Sequence, residues 1–258
     1  VDLQLIPIDQ FQTFLVCSAR VAGFIGAIPV YFSNQTPARI KVALIFAISL
    51  VLFPVLSLDL PAVSFSPLSF LLLTINETIL GLLLGLMSRL IFTAIEFGGT
   101  VIGYQMGFAA ANVFDPQHGN QVSLISQFQN VFAILIFLAL DVHHLFIKIA
   151  ARSYQLLPPG NLNLSDEAVP FLMELSSRMF ELGLQFSIPV LVVLLLSGLI
   201  LGILARVFPQ LNVFLLSFPL NIGIAFIVIA LTLNMVTGLL RREFDALGER
   251  IITMLQYL

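Results

Sequence analysis

Apolar runs of roughly bilayer length recur along this chain from Phe11 to Leu240. A membrane-spanning helix needs about 20 mostly apolar residues. Residues 11–32, 42–58, 68–95, 122–140, 182–205 and 214–240 each read as such a helix, and 97–114 forms a further apolar region. The chain is 59% hydrophobic and only 10% charged, whereas a soluble domain is nearer half apolar and a quarter charged. Too few polar groups exist to cover it in water, so lipid or other subunits must do so. The predicted fold is all-α: one continuous integral membrane bundle of about six to seven hydrophobic helices.

Charge and cysteine usage exclude other classes. The net charge is -3 with no basic run, which argues against nucleic-acid binding. Cys17 is the single cysteine, so no internal disulfide is possible. Its neighbours Val16, Ser18 and Ala19 suggest a buried, inert thiol. Asp2 and Asp9 make the first residues acidic. A cleavable signal peptide is therefore not expected, and insertion relies on internal segments.

Several stretches depart from plain apolar helix. Residues 97–114 hold Gly98, Gly99, Gly103 and Gly107, a density that weakens a helix and permits close backbone approach. Asp115-Pro116 and Gly119-Asn120 then break the chain, so the region reads as helix followed by an irregular apolar loop. Such a loop is tolerated at membrane depth only inside protein or lining a cavity. Residues 122–154 read as one helix, ended by Pro158-Pro159-Gly160. Ser165, followed by Asp166 and Glu167, reads as a helix N-cap. Residues 206–212 are too few for anything but a tight hairpin. Residues 241–258 place Phe244, Leu247, Ile251, Ile252 and Leu255 at helical spacing, an amphipathic helix.

The positive-inside rule puts Arg39 and Lys41 in the cytoplasm, yet alternating the segments gives Arg152, Arg206 and Arg241 inconsistent homes. Arg20, Glu77, Arg89 and Glu96 lie within helical stretches, where charge is costly against lipid. Either the chain is a polytopic transporter with a polar interior, or other subunits wrap its helices. Glu77 and Glu96 suit a proton-coupled transporter, since burial raises a carboxylate's pKa. The plainer reading pairs them with Arg20, Arg89 or a neighbouring subunit. Asp141, His143 and His144 carry zinc-type ligands, but adjacent histidines point to different faces of a helix, so they read as helix-end polar residues. Glu77, Gly81 and Gly85 share one helix face, a small-residue stripe for close packing, and Gly198 and Gly202 repeat it. No nucleophile–base pair, P-loop or dinucleotide fingerprint is present, and no enzyme, cofactor or metal is expected.

Taken in order, these blocks resemble a known family: Arg20 then Pro29 and Pro37-x-Arg39-x-Lys41; Glu77-x-x-x-Gly81-x-x-x-Gly85; Gly103-x-Gln105-Met106-Gly107 leading to Asp115-Pro116; Gln127 through His143-His144 to Leu157-Pro158; and Pro189, Arg206-x-x-Pro209-Gln210-x-Asn212-Val213-Phe214 and Pro219. The chain resembles, over nearly its whole length, the FliR family of flagellar export-gate proteins, with counterparts in injectisome type III secretion. The resemblance implies a non-enzymatic core subunit of an export gate in the bacterial inner membrane, at the flagellar basal body. It implies FliP-like, FliQ-like and FlhB-like partners and unfolded export substrates. It implies a FliP-like part over residues 1–180, with a pore loop at about 103–120. A FliQ-like hairpin and C-terminal amphipathic helix would follow over 181–258. Gln105, Met106, Phe108 and Phe114 would then plug the pore, and Pro209, Gln210 and Asn212 would close the hairpin. A proton-coupled secondary transporter and an intramembrane enzyme are the rival readings.

Overall fold

A computed structural model describes residues 8–29, 36–54, 67–107, 124–163, 165–210 and 212–258. The described residues form seven α-helices: α1 (Ile8–Gly26), α2 (Ala38–Leu52), α3 (Pro67–Gln105), α4 (Leu124–Ala139), α5 (Val142–Leu156), α6 (Ala168–Val207) and α7 (Val213–Tyr257). The chain divides into two compact units, each discontinuous in sequence. The first comprises Val1–Leu90, Asp141–Leu175 and Phe244–Leu258; the second comprises Ile91–Leu140 and Ser176–Glu243.

In the first unit, α1 buries Val16, Cys17, Arg20, Val21, Phe24 and Ile25. Steps of one and three place all six on one helix face. On the facing part of α3, Glu77, Leu80, Gly81, Leu84 and Gly85 are buried by the same rule. The two helices meet backbone to backbone. A Cβ on Gly81 would run into the carbonyl of Arg20, and one on Gly23 would lie 2.5 Å from the Thr78 carbonyl. The small-residue stripe at Gly81 and Gly85 thus packs on α1 of the same chain. Phe14 sets its ring edge-on to Phe46 and Phe53, 5.4 and 5.7 Å away, joining α2 to α1. Phe24 packs on Phe146 of α5 at 5.4 Å. Phe244, Leu247, Ile251 and Leu255 are buried along the last turns of α7.

In the second unit, the glycine-rich region is helical as the sequence suggested, but it continues the 68–95 run rather than forming a separate segment. α3 runs unbroken through Gly98, Gly99 and Gly103 to Gln105. A Cβ on Gly98 would lie 2.6 Å from the Gly183 carbonyl, and one on Gly99 would lie 2.6 Å from Ser126 Cα. The glycines let α6 and α4 approach, and that packing outweighs the roughly 1 kcal/mol helix cost of each.

Other expectations need correction. Residues 122–154 do not make one helix: Asp141, at φ 54° and ψ 25°, separates α4 from α5. The 214–240 run and the tail are one helix of 45 residues, α7, with Pro219 inside it. The 182–205 run extends back to Ala168, giving α6 of 40 residues around Pro189. Ser165 does not cap α6 through its side chain. Its amide and hydroxyl both donate to the Tyr257 carbonyl at 3.0 and 2.7 Å, while the Asn163 amide donates to the Leu258 carbonyl at 2.6 Å. These bonds satisfy carbonyls that a helix end leaves open.

Three described helices, α3, α6 and α7, are long and apolar enough to cross a membrane, or four if α4 and α5 together form one bent span. α1 and α2 do not reach that standard. The 15 residues of α2 extend about 22 Å at 1.5 Å per residue, short of a core about 30 Å thick. The most apolar window of α3 is 56% buried by the chain itself, against 22% in α6 and 11% in α7.

These contacts give a contrast between glycines. Gly81→Leu drives a side chain into the α1 backbone and lowers stability by about 1–3 kcal/mol or more. Gly198→Leu meets open space and leaves the isolated chain's melting temperature unchanged. Thermal unfolding of both variants in detergent checks the pair.

Candidate functional site

Among the described residues of the first unit, the buried charges form an ion pair. Arg20 and Glu77 are each 1% exposed. Helical spacing on α1 and α3 turns both inward, and the glycine contact beside them brings the helices close enough to join. Arg20 Nε donates to Glu77 Oε2 at 2.5 Å. Nη1 donates to the Ser153 hydroxyl at 3.3 Å and Nη2 to the Leu157 carbonyl at 3.0 Å. The guanidinium lies 4.2 Å above the Tyr154 ring, a cation–π contact. Tyr154 in turn donates to the Cys17 carbonyl at 2.7 Å. Glu77 Oε1 accepts the Gly160 amide at 3.2 Å. One ion pair therefore fixes α1, α3, the end of α5 and the turn at Leu157–Gly160. Sequence reasoning allowed Arg20 as Glu77's partner; Ser153, Tyr154, Leu157 and Gly160 lie too far along the chain for spacing to find.

The other charges predicted as buried divide. Glu96 is half-buried, with Oε1 accepting from Asn130 Nδ2 at 3.1 Å. Its backbone carbonyl accepts from Ser126 at 3.1 Å and Thr100 at 2.7 Å. Arg89 is exposed, so it is not a buried charge of this chain: its position on α3 falls outside the face that carries Leu84, Met87 and Ser88. Sequence reasoning missed Glu243, which is 4% exposed and accepts from Arg178 Nη2 at 3.0 Å; Arg178 also reaches Glu181 at 3.1 Å. Their separation of 65 residues leaves no local signal.

Of the expected plug residues, Gln105 and Met106 are described, and Phe108 and Phe114 lie outside the described residues. Gln105, the last residue of α3, is exposed. Met106 is fully buried with Ile102, Ile125, Val190, Leu194, Ala225 and Ile229. It anchors the entry to the following segment. Gly107 has φ +93°, and a Cβ there would lie 2.6 Å from the Phe218 ring. Any other L-residue meets both left-handed strain and the ring.

At the hairpin, α6 ends at Val207 and α7 begins at Val213. Pro209 and Gln210 form an exposed turn. Asn212 caps α7: its Oδ1 accepts the Leu215 amide at 3.3 Å, as an N-cap side chain does. Gly198 and Gly202 have no atom within 4 Å of a notional Cβ, so within this chain their stripe packs against nothing described.

Removing one member of the ion pair leaves a buried charge unpaired, a loss of about 3–5 kcal/mol. Arg20→Leu and Glu77→Leu are each expected to melt earlier by that measure. The double variant recovers part of the loss, because no lone charge remains, though the Gly160 amide still lacks its acceptor. A double-mutant cycle on detergent-solubilised protein reads the coupling; additive losses would contradict it.

A family model described as "Bacterial export proteins, family 1" matches residues 11–247. The chain is 33% identical over 251 residues to the flagellar biosynthetic protein FliR of Bacillus subtilis (strain 168), covering 96% of each. It is 33% identical over 240 residues to the FliR protein of Pectobacterium carotovorum subsp. carotovorum, covering 92% of this chain and 91% of that one. It is 28% identical over 227 residues to the FliR protein of Escherichia coli (strain K12), covering 88% and 86%. With the match spanning nearly all the helices that carry the ion pair, the loop anchor and the capped hairpin, the chain belongs to family 1 of the bacterial export proteins, the FliR family.

Proposed function

We propose that the chain is a non-enzymatic core subunit of the flagellar type III export gate in the bacterial inner membrane. With FliP-like and FliQ-like subunits, and an FlhB-like subunit beside them, it forms the pore through which unfolded flagellar substrates leave. The observation that carries this reading is the family match over residues 11–247, joined by full-length relatives named as flagellar biosynthetic proteins.

Physical features support an assembled role. The apolar windows of α6 and α7 are covered by their own chain over only 22% and 11% of their residues. Leu195, Leu199, Ile203, Leu215, Ile227 and Leu231 all stand exposed. We assign residues 1–180 to a FliP-like part and 181–258 to a FliQ-like hairpin and tail, with Gly198 and Gly202 facing a neighbouring subunit. In this reading, residues 105–114 plug the pore, with Gln105, Met106, Phe108 and Phe114 closing it. An apolar constriction closes a pore by filling it or by dewetting.

The secondary-transporter alternative gains no support from these relatives, and Glu77, a carboxylate it would use, is already bound by Arg20 and Gly160. Deleting the encoding gene in its host is expected to abolish secretion of flagellar hook and filament proteins and hence swimming, with both restored by the wild-type gene. Normal flagellar secretion in the deletion strain would overturn the proposal.

A further inference from the structure

At the start of α5, three side chains with metal-ligand chemistry converge. Asp141 holds a left-handed backbone at φ 54° and its carboxylate makes no capping bond to the helix that follows. His143 and His144 are adjacent within α5, yet their rings come together. The His143 and His144 rings stack at 4.1 Å, tilted by 37°. Asp141 Oδ1 lies 3.6 Å from His144 Nδ1 and 4.0 Å from His143 Nε2. One donor atom from each residue lies within 4.8 Å of the others.

These separations are too long for hydrogen bonds, so the three groups do not satisfy one another. They are close to the edge of a coordination polyhedron. Metal–ligand bonds of about 2.0–2.2 Å put neighbouring tetrahedral donors about 3.3–3.6 Å apart. Small side-chain rotations close the difference. Two neutral imidazoles and one carboxylate are a donor set for borderline divalent ions rather than for calcium or magnesium. The site opens to a surface hollow lined by Asp141, His144, Leu145, Ile147 and Lys148, which leaves room for solvent ligands.

We propose that Asp141, His143 and His144 bind a divalent first-row transition-metal ion, for which Zn2+ is the probe. Three features set the strength. Lys148 lines the same hollow, and the amide end of α5 also opposes a cation. His143 Nδ1 is buried with no hydrogen-bond partner, so it lacks the acceptor that steadies a metal-bound imidazole. Binding is therefore weak and reversible, and it orders the left-handed turn rather than holding the fold together.

The test is calorimetric zinc titration of the full chain, purified in detergent on a tag without histidine. Wild type is expected to take up one equivalent. Asp141→Asn and His144→Gln each weaken uptake by roughly 10–100-fold or more. Lys148→Gln, which removes a repelling charge and no ligand, tightens it and keeps the test valid if a ligand variant misfolds. No zinc uptake by wild type overturns the proposal. So does uptake that survives both ligand substitutions, whether through His118 or another group.

Discussion

A buried arginine and glutamate set the terms for the first unit. Neither Arg20 nor Glu77 reaches solvent, and an isolated charge in such surroundings costs far more than a folded chain's net stability. The pair is therefore tolerable only when every strong donor finds its acceptor. Arg20 needs the Glu77 carboxylate, the Ser153 hydroxyl and the Leu157 carbonyl together. Glu77 needs the Gly160 amide as well. Three separate parts of the sequence, at residues 20, 77 and 153–160, must arrive in one arrangement. The glycine contact between α1 and α3 makes that arrangement reachable, since a side chain at Gly81 would hold the two helices apart.

A second constraint concerns what the chain leaves uncovered. α3 is half sheltered by its own chain, whereas the apolar windows of α6 and α7 are almost bare. At 40 and 45 residues these helices extend roughly 60–68 Å by helical rise, about twice a bilayer core. Lipid alone does not match that length. Polar residues at one end of α6, among them Glu174, Arg178 and Glu181, and at the far end of α7, from Arg241 to Arg250, bound the apolar stretches. An assembled subunit accounts for both the length and the exposed apolar faces, and for a charge distribution that simple topology rules fail to place.

Periodicity made the helices legible. The 241–258 pattern named Phe244, Leu247, Ile251, Ile252 and Leu255; all but the half-buried Ile252 are buried, and Glu243, Met254 and Leu258, which it did not name, are buried beside them. The tight link before Val213 was also readable from its length. The glycine density pointed to close backbone approach, and Gly98 and Gly99 do admit Gly183 and Ser126. Local composition was less informative where tertiary packing decides. The break at Asp141 has no glycine or proline to announce it, and aspartate is among the few side chains that tolerate a left-handed backbone. The Arg178–Glu243 pair joins residues 65 apart, and only tertiary structure brings such groups together. Ser165 looked like a cap because its neighbours are acidic, but its hydroxyl is spent on Tyr257.

The central claim is that this chain is one subunit of a larger membrane assembly. Native mass spectrometry tests it most directly, after co-expression with the neighbouring genes and purification on a tag carried by this chain. The account predicts a discrete complex with one copy of this chain and several copies of small hydrophobic partners. A clean monomer or homodimer with no partner would contradict it.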